Sequence, residues 1–191
     1  MPMHRRLFAA LAGSLVLTAI APVAVAETNM SRVSAHAFAF KSLEGKDIRL
    51  AAYAGKPILV VNTASLCGYT PQYAGLQELW TRYGARGLLI MGVPSNDFGG
   101  QEPGGTAEIA QTAHGQYGVS FPLTDKVEVK GPTAHPFYRW AALERPTDTP
   151  RWNFHKYLIG RDGRIKASFG SAVAPNDPRL VAAIENELAA E

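Results

Sequence analysis

The chain has 191 residues, 47% of them apolar, and carries 19 Lys and Arg against 16 Asp and Glu, a formal charge of +3. No basic run accompanies that small excess, so the composition gives no electrostatic footprint for nucleic acid. A single cysteine excludes any internal disulfide framework.

The first 26 residues read as a signal peptide. Arg5 and Arg6 form a charged start, Leu7 to Val25 is almost wholly apolar and small, and Ala24-Val25-Ala26 offers the small residues a signal peptidase accepts. Pro22 breaks a helix just before that point, which argues against an uncleaved anchor. No Cys stands near it, which argues against a lipoprotein. Cleavage behind Ala26 leaves residues 27–191 as one domain, large enough for a sizeable core, with a charge near +1 and no further long apolar segment. Export to the periplasm or the exterior is the expected localisation.

The remaining elements follow in order. Residues Phe38 to Phe40 and Asp47 to Leu50, joined by the turn Leu43-Glu44-Gly45-Lys46, predict an N-terminal β-hairpin. Ile58 to Val61 is a continuous apolar run, the pattern of a strand buried on both faces. A loop from Asn62 leads to a predicted helix beginning at Pro71 with Thr70 as its N-cap; Leu76, Leu79, Trp80 and Tyr83 supply its apolar face, and Gly84 and Gly87 end it. Leu88 to Val93 predicts a second buried strand, and Thr106 to His114 a short helix closed by Gly115. An extended piece over Val119 to Leu123 and a helix over His135 to Leu143 come next. Phe154 to Ile159 and Ile165 to Phe169, around Arg161-Asp162-Gly163, form a hairpin. A last helix starts at Pro178, with Leu180, Ile184 and Leu188 on one face. Strand, helix, strand, helix, hairpin and helix in that order predict a mixed central sheet flanked by helices, an α/β architecture for which the thioredoxin-like fold is the candidate.

Cys67 lies between the first buried strand and the helix that follows. Helix N-termini carry unpaired N–H groups and partial positive charge, which favour the nucleophilic thiolate. A buried, inert Cys is the alternative, but such a residue belongs in an apolar pattern rather than at a loop-to-helix junction. Thr70 stands three residues on, where a C-x-x-C exchange pair would need its second Cys. One-thiol chemistry remains.

The residues around Cys67 resemble the active-site signature of glutathione peroxidases. Val93-Pro94-Ser95-Asn96-Asp97-Phe98-Gly99-Gly100-Gln101-Glu102-Pro103-Gly104 resembles that family's second signature, and Arg151-Trp152-Asn153-Phe154-His155-Lys156-Tyr157-Leu158 its third. The three stand in the family's order, and the similarity runs from about residue 34 to the end.

The resemblance implies a catalytic tetrad of Cys67, Gln101, Trp152 and Asn153, in which the two amides and the indole supply N–H donors to sulfur and peroxide. It implies reduction of hydrogen peroxide or organic hydroperoxides through a Cys67 sulfenic acid, which an external thiol returns to the thiolate. Glutathione or a thioredoxin-like protein would be that co-substrate, with no metal or organic cofactor required.

Several positions depart from the family pattern. Cys67 replaces selenocysteine, which implies a slower nucleophile. His114 stands where many members keep a resolving Cys, and Asp97 where many have Gln; Asp97 is given no catalytic role. The short segment from Leu143 to Arg151 resembles the monomeric branch, whose open site admits bulky hydroperoxides. Gly99, Gly100, Gly104 and Gly105 lack the Lys-Ser/Thr of a phosphate loop and read as turn residues that bring Gln101 toward the sulfur. Lys126, Lys130, Arg139 and Arg161 read as solvated surface charges.

Two rivals come from other classes. His36, His114, His135 and His155 could contribute to a metal site, though none has ligand spacing. A non-catalytic interaction module would make Cys67 incidental. A peroxiredoxin would share the reaction, but its Pro and Thr before the Cys are missing from Asn62 to Leu66.

Overall fold

A computed structural model of the chain describes residue 1 and residues 33–190. The signal peptide expected over residues 1–26 lies outside the described residues except for Met1. The N-terminal hairpin pairs β1 (Ala39–Lys41) with β2 (Asp47–Arg49), antiparallel, as its turn residues predict.

The main sheet has four strands: β3 (Ile58–Thr63), β4 (Leu89–Pro94), β5 (Lys156–Ile159) and β6 (Ile165–Phe169), in the order β4-β3-β5-β6. The β3–β4 pair is parallel and needs a crossover, supplied by helix α1 (Gln72–Tyr83); β5 and β6 run antiparallel to their neighbours. Every residue of β3, β4 and β5 is buried, as their apolar runs require.

Period-two alternation divides these buried strands between two cores. Leu59, Val61, Ile90 and Leu158 pack with Tyr73, Leu76 and Leu79 of α1 and with Leu180 and Ile184 of α4 (Pro178–Ala189). Ile58, Val60, Met91, Val93, Tyr157 and Ile159 pack against Phe137, Tyr138, Trp140 and Ala141 of α3 (Pro136–Glu144) on the other face. Each fully buried aliphatic side chain contributes about 1.5–3 kcal/mol, so the sheet is a stiff platform for the loops at its end.

Two expectations need correction. Thr70 is not the N-cap of α1: its hydroxyl accepts from Cys67 N–H at 3.0 Å and donates to the Ala64 carbonyl at 2.8 Å. The first N–H groups of the helix turn instead to nearby carbonyls, Gln72 to Tyr69 and Tyr73 to Thr70, so the hydroxyl is left to brace the Cys67 loop. Gly115 does not close the helix at residue 106. Helix α2 (Thr106–Ala110) widens into a π-helical segment, Gln111–Gln116, that carries the chain past it. The extended piece over Val119 to Leu123 pairs through an isolated bridge from Leu123 to Gly92.

Candidate active site

The site gathers at the end of the sheet where β3 and β4 stop. Cys67 is 7% exposed and is itself a buried member of the α1-side core. Among the described residues its Sγ accepts one hydrogen bond, from Tyr69 N–H at 3.4 Å. That N–H belongs to the loop, because α1 begins only at Gln72. The donor expected from the helix end is therefore supplied by the turn that precedes it.

The loop after β4 is tied directly to the Cys67 loop. Leu66 N–H donates to the Gln101 carbonyl at 3.0 Å. Gly99 and Gly100 have φ of 67° and 64°, a region that disfavours a side chain, and they turn the chain so that Gln101 faces the Cys67 loop. A Cβ on Gly99 would also meet Trp152 Cη2 at 3.2 Å. Asn96 Oδ1 accepts from Glu102 N–H at 2.8 Å, and Lys126 Nζ donates to the Glu102 and Gly104 carbonyls at 3.0 and 2.8 Å. Lys126 thus braces the Gln101 turn and is no free surface charge. Asp97 Oδ2 accepts from Val129 N–H at 2.6 Å and Lys130 N–H at 3.1 Å, a purely structural use.

Trp152 and Asn153 arrive from the segment before β5. Asn62, at the end of β3, donates through Nδ2 to the Trp152 carbonyl at 3.1 Å, and its own carbonyl accepts from Phe154 N–H at 2.6 Å. Phe154 has φ 63°, the one non-glycine left-handed residue described. That conformation costs about 1–2 kcal/mol, and it reverses the chain so that Asn153 points inward while Trp152 stays 39% exposed.

Asn153 is fully buried and donates through Nδ2 to Gln101 Oε1 at 2.9 Å. With its oxygen engaged there, the Gln101 amide presents its NH2 group as its free end. Among the described residues Asn153 Nδ2 bonds to Gln101 and, at 3.5 Å, to the Phe98 carbonyl, and makes no hydrogen bond to the sulfur. Hydrogen bonds thus link Asn153 to Gln101 and the Gln101 carbonyl to Leu66, the residue before Cys67, and Trp152 precedes Asn153 in the chain.

Glu102 and His155 are buried titratable groups beside this set. Burial raises the Glu102 carboxyl above its ordinary value, opposed by the hydroxyl and N–H of Ser65. Burial pushes the His155 imidazole down to about 4, helped by the nearby Lys156 charge. Since its ordinary value is 6.5, the unfolded chain binds the proton first. The contribution of His155 to stability is complete at neutral pH and is expected to be lost as pH falls from about 6.5 toward 4, by up to about 3 kcal/mol. His155→Leu is expected to flatten that limb, measured as denaturant midpoints between pH 7 and 4; an unchanged limb would assign the acid loss to other groups.

Leu66 (67% exposed) and Tyr69 (37%), on either side of Cys67 in its loop, and Trp152 (39%) are exposed large apolar side chains of the site segments. His114 Nδ1 lies 2.7 Å from the Val119 carbonyl, which anchors the π-helical segment. Among the described residues no three His, Cys, Asp or Glu side chains converge, and no helix is long and apolar enough to cross a membrane. Asn62, Thr70 and Lys126 are site residues that sequence reasoning missed or read otherwise. Asn62 carried a signal, a polar residue at the end of an apolar strand run.

The chain is similar to known proteins over most of its length. A family model described as glutathione peroxidase matches residues 35–142. The hydroperoxy fatty acid reductase gpx1 of Synechocystis sp. is 42% identical over 74% of this chain and 89% of its own length. The crystal structure of Trgpx in its apo form superposes with a TM-score of 0.65 at 32% identity, covering 81% of this chain and 97% of that one. A thiol:disulfide interchange protein of the thioredoxin family from Chlorobium tepidum TLS has a TM-score of 0.60 at 14% identity, covering 79% and 92%, and shows the fold alone.

Proposed function

This chain belongs to the glutathione peroxidase family, and from that premise and the site geometry we propose that Cys67 is its peroxidatic thiol. The protein is a thioredoxin-like thiol peroxidase that reduces hydroperoxides. The observation that carries the assignment to Cys67 is the hydrogen-bonded pair Asn153–Gln101, held against the Cys67 loop through Leu66 N–H.

In the proposed cycle the Cys67 thiolate forms a bond to one peroxide oxygen as the O–O bond breaks. The other oxygen leaves with the electron pair and takes up a proton, giving water or an alcohol. Sulfur is oxidised to the sulfenic acid and the peroxide is reduced. A first external thiol displaces water from the sulfenic acid to give a mixed disulfide. A second thiol attacks that disulfide, restores the Cys67 thiolate and releases the oxidised reductant. The NH2 end of Gln101 and the Trp152 indole N–H are the donors for the charge that grows on the departing oxygen.

Cys67 is the chain's single cysteine, so the resolving thiol comes from another molecule. Glutathione and a thioredoxin-like protein are the candidate reductants. The exposed apolar side chains of Leu66, Tyr69 and Trp152 support hydroperoxides that carry an apolar chain, as does the name of the Synechocystis relative. The same reading has the protein exported, with cleavage near Ala26, and acting as a monomer in the periplasm or outside the cell.

The test is direct. The reduced protein is mixed with hydrogen peroxide or an organic hydroperoxide and a sulfenic-acid trapping reagent, and intact mass is followed over seconds. One adduct on Cys67, formed far faster than on free cysteine, is expected, after which reductants are compared by turnover. Oxidation no faster than that of a free thiol would overturn the assignment.

A further inference from the structure

Lys156 is a full-length cationic side chain with no exposed surface, set in the otherwise apolar strand β5. A buried ammonium has to find three acceptors to replace water, and Lys156 finds three from three separate segments. Its Nζ donates to Gln72 Oε1 at 2.6 Å, to the Phe154 carbonyl at 2.7 Å and to the Val173 carbonyl at 2.7 Å. Burial pushes its pKa down to about 7.

Two of these acceptors lead straight to opposite sides of the site. Gln72 opens α1, and its N–H donates to the Tyr69 carbonyl at 2.9 Å; Tyr69 N–H is the group bonded to Cys67 Sγ. Gln72 Nε2 also donates to the Ser171 carbonyl at 2.7 Å, so it is pinned at both ends of its amide. On the other side, Phe154 is the left-handed residue next to buried Asn153 and exposed Trp152. The third acceptor, Val173, fixes the loop that leads into α4.

We propose that Lys156 is a positioning residue whose ammonium sets the span between the Cys67 sulfur and the Trp152–Asn153 segment by gripping Gln72 and Phe154 at once. It touches neither sulfur nor peroxide and acts through these two residues. The proposal rests on the reading of Cys67 as the peroxidatic thiol. A merely structural lysine would hold the loops without affecting how well the donors meet the peroxide.

Two rates on the same thiol separate these roles. Oxidation of Cys67 by hydrogen peroxide needs the donors in place, whereas alkylation by iodoacetamide needs only an accessible thiolate. Gln72→Leu cuts the grip on the Cys67 side at a half-buried position, and Lys156→Met removes the whole anchor. The ratio of peroxide rate to alkylation rate is expected to fall about tenfold in Gln72→Leu and up to about 100-fold in Lys156→Met, since displacements of about 1 Å have effects of that size.

An unchanged ratio in Gln72→Leu overturns the proposal, even if its melting temperature drops. That variant alone decides the matter where Lys156→Met does not fold. Failure of the underlying reading shows elsewhere, as slow peroxide oxidation of the unmodified protein.

Discussion

Cys67→Ser is expected to yield a folded protein with no peroxidase turnover. A serine hydroxyl is not ionised near neutral pH and has no oxidation step equivalent to the sulfenic acid, so both halves of the cycle are lost. The replacement fits the site. Cys67 is 7% exposed, its neighbour Tyr69 N–H finds an oxygen acceptor in place of sulfur, and the Thr70 hydroxyl still holds the loop through Cys67 N–H and the Ala64 carbonyl. The stability change should stay within about 1–2 kcal/mol. Hydroperoxide consumption with a thiol reductant and a thermal melt check the two halves of the prediction. Residual turnover above the uncatalysed rate in Cys67→Ser would place the chemistry elsewhere.

Removing the Gln101 amide is expected to have the next largest effect. Gln101→Ala deletes a preorganised donor, and single donors of this kind are worth about 100- to 1,000-fold in rate. Asn153→Ala should cost less, about tenfold or more, because Asn153 grips Gln101 Oε1 at 2.9 Å and works by orienting it. The double variant discriminates the two arrangements. If Asn153 acts through Gln101, the pair falls no further than Gln101→Ala alone, a strongly non-additive result. If Asn153 donates directly to the sulfur or the peroxide, as the family resemblance implies, the two losses multiply. Second-order rate constants for Cys67 oxidation, taken with melting temperatures, measure this without involving the reductant.

Much of the architecture was legible because it follows from local pattern. Ile58 to Val61 and Leu88 to Val93 carry continuous apolar runs, and both become strands buried on two faces. Asp162-Gly163 marks the late hairpin, with Gly163 at φ 76°. Pro136 and Pro178 open α3 and α4, each behind a side chain that accepts a cap hydrogen bond: His135 from Phe137 N–H and Asp177 from Arg179 N–H. Where local pattern misled, a longer-range partner had taken the group. Thr70 has the right chemistry for an N-cap, yet its hydroxyl is drawn back to Ala64 and Cys67. Lys126 has the look of a surface charge, yet two carbonyls of the Gln101 turn use it.

The sequence by itself determined the residue types at the proposed site: one thiol, two amides and an indole, in three motifs whose order and wording resemble those of its family. Those are properties of the covalent chain, and they need no coordinates. Only the tertiary structure decided which donor meets which acceptor. Gln101 lies 52 residues before Asn153 along the chain, yet their amides bond to each other, and the same packing takes the sulfur's one described hydrogen bond from the loop N–H of Tyr69. It also decided that Lys156, an ordinary charged letter within the third motif, is fully buried and bonded to Gln72 on one side of the site and Phe154 on the other. The physical reason is that hydrogen bonds extend only about 3 Å and depend on direction. Folding sets such distances through the packing of whole elements, so the sequence names the participants and the fold chooses the pairs.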